Sequence, residues 1–468
     1  MDILNLDTVD LVAEIRSETI SATQVMQLTL DRVAAVNPAH GAIVSMADPE
    51  TCLSAARAMD AQADKSGALF GLPLAVKDLS NAQGFPTSMG SPAFPQTPAA
   101  RDDLFVARMR AAGAVVIGKT NTPEFGLGSH TFNPVHGTTA NAYDPTRSAG
   151  GSSGGAAVAL ATRMVAIADG SDMMGSLRNP AGWNNVYGMR PTWGLVPSEP
   201  LGDTFGQQLA TNGPMARSPR DLALLLGVQS GPDPRQPHGL PAQDFLTQMQ
   251  AHRVKGARIG YLGSWGLPMD AGILDITNNA LRDMERLGVQ VDVIDAPFDM
   301  GALWQSWTTL RHWAVCAGLF ALYDNAKTRD MLKPAAVWEI ENGLQLSAMD
   351  IHRASVIRSQ WYARAAELFA RYDALILPSA QVWPFDKTWV HPETIDGVAM
   401  DTYHRWMQIV IPAGLIGLPV VNLPIGFGAT GLPAGVQMIG PKGSDARLLG
   451  YAQDWHMAYP YSQTAPAH

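Results

Sequence analysis

The 468-residue chain holds only two cysteines, Cys52 and Cys316, which form neither a metal-ligand spacing nor a disulfide framework. Both read as reduced core residues. Charge is scarce as well: 16% of residues are Asp, Glu, Lys or Arg, the net charge is −9, and no basic run interrupts the acidic balance. A surface for nucleic acid or anionic membrane needs such a run, so neither partner is expected. Long apolar runs are missing too. The most apolar stretch, residues 409–421, is too short to span a bilayer and is broken by Pro412, Gly414, Gly417 and Pro419. A strand with turns, deep in a core, is the expectation there. Met1-Asp2-Ile3-Leu4-Asn5-Leu6-Asp7 offers neither the positive n-region nor the apolar h-region of a signal peptide, so a cytoplasmic location is expected. No internal repeat or low-complexity period emerges despite 44 glycines and 33 prolines.

What is present suits a large buried core, with 46% hydrophobic residues. Residues 7–36 read as two amphipathic helices. Val9, Leu11, Val12 and Ile15 fall at helical spacing, and Ser21 offers an N-cap before Val25, Leu28, Leu30 and Val33. Asn37-Pro38 is expected to stop the second helix. From Gly71 onward, short apolar runs alternate with helical patterns: Leu74-Ala75-Val76, then a helix from Leu104 to Ala112, then Ala114-Val115-Val116-Ile117-Gly118. Residues 374–378 and 420–424 repeat the strand texture. Such alternation predicts an α/β sheet covered by helices on both faces. The segment 215–370 is mostly helical in pattern, with one strand candidate at 257–262. Tryptophans gather here and just after, at 304, 307, 313, 338, 361, 383, 389 and 406. The final residues, 463–468, read as a frayed tail.

Three fragments carry chemistry. Lys77 follows the apolar run Leu74-Ala75-Val76, which predicts a lysine leaving the end of a buried strand. An ordinary lysine, with a pKa near ~10.4, is charged at neutral pH and cannot take a proton; desolvation lowers that value. Gly150-Gly151-Ser152-Ser153-Gly154-Gly155 is a glycine–serine run before a predicted helix from Gly155 to Thr162. It satisfies the G-x-S-x-G elbow with Ser153 as nucleophile, but that elbow needs a buried strand before it, and residues 141–148 are polar and broken by Pro145. A phosphate loop would need a lysine–hydroxyl pair that is missing here. Taken alone, the run reads equally as a structural turn. In Asp172-Met173-Met174-Gly175-Ser176 the following residues favour neither helix nor strand, and successive backbone N–H groups can converge there into an anion-binding nest. Beside a serine hydroxyl such a nest can act as an oxyanion hole. The plainer reading is a turn shaped by an Asp172–Arg178 ion pair, and the two are compatible.

In this order, with the serines of interest 24 residues apart, the fragments resemble the amidase signature family of Ser–cis-Ser–Lys amide hydrolases. Lys119-Thr120-Asn121-Thr122-Pro123-Glu124-Phe125, Gly188-Met189-Arg190-Pro191-Thr192 (with Arg190 where the family usually has lysine) and residues 431–440 extend the resemblance from about residue 7 to 455. It implies a large mixed β-sheet covered by helices, with residues 1–468 as one domain. Within it, 7–36 are N-terminal helices, 71–200 the catalytic core motifs, about 215–370 a variable helical substrate region, and 371–455 the C-terminal strands and helix. It implies Ser176 as nucleophile, Ser152 as bridging serine after a cis peptide, and Lys77 as base. The oxyanion hole is then formed by the amides of Met173, Met174, Gly175 and Ser176, with Ser153, Asp172 and Arg178 in support. No metal or cofactor is implied. The substrate is then a small amide, carbamate or ester, and the enzyme a monomer or homodimer. The alternative within the same family is the glutaminase component of a tRNA-dependent amidotransferase. One departure stands out. The family usually shows Gly-Gly-Ser at the nucleophile, whereas Met174 here restricts φ and adds bulk beside the scissile carbonyl.

Overall fold

The computed structural model describes residues 3–206 and 208–467. Its centre is a mixed sheet of eight strands, in the order Gln290–Val293, Arg258–Tyr261, Ala374–Pro378, Pro433–Ile439, Val420–Phe427, Tyr187–Arg190, Thr211–Ala216 and Ile167–Asp172. The first three run parallel, and every later pairing is antiparallel. Ala374–Pro378 and Pro433–Ile439 are buried along their whole length, as expected of strands sandwiched between helices. Helix Gly154–Ala161, buried at every position, packs on the Ile167–Asp172 edge, while helices Ile273–Arg286 and Asp445–Ala458 pack on Val420–Phe427.

A second sheet of three strands, Ile43–Val44, Val115–Thr120 and Pro73–Lys77, lies beside this edge. Pro73–Lys77 pairs parallel with Val115–Thr120. The backbone N–H of Lys77 crosses to the Asp169 carboxylate at 3.1 Å, tying the two sheets together.

Several elements depart from expectation. The helix begun by the Ser21 capping box runs past Pro38 to His40. Asn37 stays inside it because its side chain binds the backbone of Ala42 and Ile43, and Gly41, at φ 59°, closes the helix by donating to the Asn37 carbonyl at 2.7 Å. The apolar stretch 409–421 is mostly not strand. It ends the 3₁₀ turn Arg405–Val410, forms helix Ile411–Leu415, and enters a strand only at Val420. The tail is pinned at least to Thr464: Arg163 donates to the carbonyls of Ser462 and Gln463, and Tyr143 to that of Thr464. His468 lies outside the described residues. The edge strand Gln290–Val293 has no counterpart in the sequence reading. Both cysteines are free, but only Cys52 is buried; Cys316 is half-buried. Of the eight tryptophans, Trp307, Trp361 and Trp406 are buried and Trp389 is exposed.

Candidate active site

Lys77 is the last residue of a strand that is buried at all five positions. Its Nζ donates to Ser152 Oγ and Ser153 Oγ, each at 2.8 Å, and to Ser171 Oγ at 3.1 Å. Burial drives the lysine pKa down to about 7, with the nearby carboxylates of Asp169 and Asp172 opposing the fall. Asp169 is raised in turn to about 6 by burial, against the N–H bond and charge of Lys77. Asp169 and Ser171 alternate along one strand and reach the same lysine. Polar residues at a period of two in a buried strand were the available sequence signal for both.

The glycine–serine run is held from outside. Ser129 Oγ donates to the Gly151 carbonyl at 2.6 Å and Thr131 Oγ1 to that of Gly150 at 2.8 Å, and the Gly151–Ser152 peptide is cis. The elbow reading requires a strand immediately before the run, and among the described residues there is none. Ser153 is fully buried and bonded to Lys77, while Ser152 lines a cavity.

The turn after Ile167–Asp172 is organised by Asp172. Arg178 donates to its carboxylate from Nε at 3.0 Å and Nη2 at 2.9 Å, and the amides of Gly175 and Leu177 add bonds at 3.0 and 3.1 Å. Arg190 binds both the carboxylate and the backbone carbonyl of Asp172. Burial alone would raise this carboxyl, but the paired arginines hold it well below the usual carboxylate range. Gly175 sits at φ 80°, and a Cβ there would meet Val410 at 2.8 Å, so the turn demands glycine at this position. Because the Gly175 amide is directed to Asp172, the amides without a protein acceptor among the described residues are those of Met173, Met174 and Ser176. Arg190 was visible in the sequence only as a substitution for lysine; its contact with Asp172 depends on pairing between distant strands.

Ser176 lines the same cavity as Ser152, and its hydroxyl has no protein partner among the described residues. The cavity, of about 210 Å³, is otherwise mostly apolar, with Leu79, Phe125, Leu127 and Met407 among its walls. Helix Met300–Asp324 contributes Arg311, Val315, Gly318 and Leu319, positions that share one helical face. No tryptophan lines this cavity among the described residues; Trp338 and Trp406 line a neighbouring one of about 510 Å³. No helix among the described residues is long and apolar enough to cross a membrane.

The arrangement presents a neutralisable lysine hydrogen-bonded to one serine, a second serine with a free hydroxyl, and unengaged amides beside it. These are the parts of acyl transfer by a serine nucleophile. The family model described as Amidase matches residues 24–449. The acylamidase of Rhodococcus erythropolis is 30% identical over 468 residues, covering 99% of this chain and 97% of that protein. A glutamyl-tRNA(Gln) amidotransferase subunit from Thermosynechococcus vestitus is 31% identical over 474 residues, covering 96% and 95%. The crystal structure of a bacterial aryl acylamidase of the amidase signature enzymes family superposes with a TM-score of 0.90 at 28% identity, covering 98% of this chain and 97% of that one.

Proposed function

Because the chain belongs to the amidase signature family and is therefore an amide hydrolase, we propose that Ser176 is its nucleophile, Ser152 the proton bridge and Lys77 the terminal base. The observation that carries this assignment is the 2.8 Å bond from the buried Lys77 Nζ to Ser152, which shares a cavity with Ser176. Neutral Lys77 takes a proton from Ser152 as Ser152 takes one from Ser176, whose Oγ attacks the carbonyl carbon. The amides of Met173, Met174 and Ser176 receive the oxyanion. On collapse, the relay returns the proton to the amine nitrogen, the C–N bond breaks, and an ester to Ser176 remains. Water gives its proton to the same relay, attacks the ester and releases the acid.

The walls of the cavity suit an apolar acyl or aryl group. Free glutamine would bring two charges into it without a matching pair, which is costly. We therefore favour a free-standing, cytoplasmic amidase of small amides over the glutaminase component of an amidotransferase, although a protein of that kind is equally similar in sequence. Purified alone, the chain is expected to cleave anilides and to leave glutamine almost untouched. Glutamine turnover that emerges only with added partner proteins would reverse the choice.

A further inference from the structure

Among the described residues lining the Ser176 cavity, Arg311 carries the one polar side chain that is not a serine. It is 2% exposed. Its Nε donates to Glu339 Oε1 and its Nη2 to Tyr403 Oη, each at 2.6 Å. Tyr403 donates in turn to Glu339 Oε1 at 2.6 Å, and His312 Nδ1 lies 2.5 Å from Glu339 Oε2. The face of the Trp307 ring lies 5.0 Å from the guanidinium carbon. Burying an ion pair this deeply is expensive and by itself weak evidence for stability.

What this network holds in place is a donor. A guanidinium has five N–H groups. Here one meets Glu339 and one Tyr403, while a third has only the Met173 Sδ at 3.2 Å, a weak acceptor. Two more have no protein acceptor among the described residues. Met173 opens the turn that leads to Ser176, and Arg311, Met173 and Ser176 line one cavity, so this guanidinium shares its space with the nucleophile. Since Glu339 already balances the charge, the donors suit a neutral oxygen. A carboxylate would add an uncompensated charge to an apolar cavity.

We propose that Arg311 determines specificity by donating hydrogen bonds to a second, neutral carbonyl oxygen of the substrate, so that the preferred substrates are amides bearing a ketone, ester or further amide in the acyl or amine portion. This inference rests on the amidase reading and deepens it. Peptide-like and N-acylated amino-acid amides fall in this class; simple alkyl amides do not.

The test uses isosteric pairs. The acyl set is the 4-nitroanilides of 4-oxopentanoic, 4-methylpentanoic and succinic acids, which differ only at the far carbon. The amine set is acetanilides carrying 4-acetyl or 4-isopropyl on the ring. kcat/KM is measured for the wild-type chain, for Arg311→Met, and for Arg311→Met combined with Glu339→Gln, which avoids stranding a buried carboxylate. The expected result is a ketone-to-isopropyl ratio that falls by about tenfold to a hundredfold in the variants, in at least one set, as a hydrogen bond to a charged donor is lost. The succinyl compound should trail the ketone in the wild type. A purely structural Arg311 lowers both members of each pair together, so unchanged ratios in both sets overturn the proposal. A succinyl compound that outpaces the ketone overturns the neutral-oxygen assignment. Failure of the wild type to cleave any member removes the substrate reading of the preceding section, and this inference with it.

Discussion

If Lys77 is the base, the rate must follow its titration. A fall from 10.5 to about 7 corresponds to roughly 5 kcal/mol set against the charged form by burial, net of the opposing carboxylates. kcat/KM reports the free enzyme, so it should climb about tenfold between pH 6 and pH 8 and then level off. An ordinary lysine would still be over ~99% charged at pH 8 and would keep the rate rising through pH 9. Asp169 provides an internal check, because its charge holds the lysine value up. Asp169→Asn removes that charge while keeping an acceptor for the Lys77 N–H, and should move the midpoint to lower pH. The same shift has a sign for stability. Between about 7 and ~10.4 the unfolded chain binds the Lys77 proton and the folded chain does not. This group therefore makes the fold more stable as pH rises through that window, and denaturant midpoints at pH 7 and pH 9 can be compared. Initial rates on a nitroanilide from pH 5 to 10 at constant ionic strength decide the matter. A rise continuing without a plateau past pH 9, or the same transition in an active Lys77→Met variant, refutes the reasoning.

Ser176→Ala should abolish turnover, while Ser152→Ala and Lys77→Ala each lose about 10²–10⁴-fold but stay measurable, since they only move protons; steady-state rates on one anilide compare all three. Met174 lines the cavity and packs within the apolar cluster that contains Trp183 and Val410. Met174→Gly should shift preference toward bulkier acyl groups while keeping a small primary amide within about tenfold, about 1.4 kcal/mol in barrier. It should also cost about 2–5 kcal/mol in stability through the void it leaves. Rates across an acyl-size series and a urea titration check the two parts. Asp172→Asn leaves Arg178 and Arg190 buried without their counter-ion. It should destabilise by about 3–5 kcal/mol and slow catalysis as the turn loosens, read by denaturant unfolding alongside kcat.

The candidate site was legible in its parts and less so in its wiring. Lys77, Ser152 and Ser176 stand in short motifs whose texture announces a strand end, a glycine-rich turn and a nest. The supporting contacts are spread along the chain. Arg190 reaches Asp172 only because strands Tyr187–Arg190 and Ile167–Asp172 each pair with Thr211–Ala216. The Gly175 amide belongs to Asp172 because of a local bend that residue types do not encode. Helix Met300–Asp324 gathers its apolar residues on no single face, so its pattern does not reveal that Arg311 faces a cavity or that its counter-ion stands 28 residues on. The gathering of tryptophans after residue 300 reflects packing beside the site: Trp307, Trp361 and Trp406 sit in the core, and Trp338 with Trp406 lines the neighbouring cavity. Residues 409–421 misled for a related reason, since a fully buried short helix and a buried strand share one apolar texture.

The most direct test of the account is to identify which hydroxyl becomes covalently modified. Treatment with a serine-directed fluorophosphonate, followed by proteolysis and tandem mass spectrometry, should place a single adduct on Ser176. Labelling should rise with pH through about 7 and weaken sharply in Lys77→Met. An adduct on Ser153 would revive the elbow arrangement, and one on Ser152 would exchange the two serines; either contradicts the proposed relay.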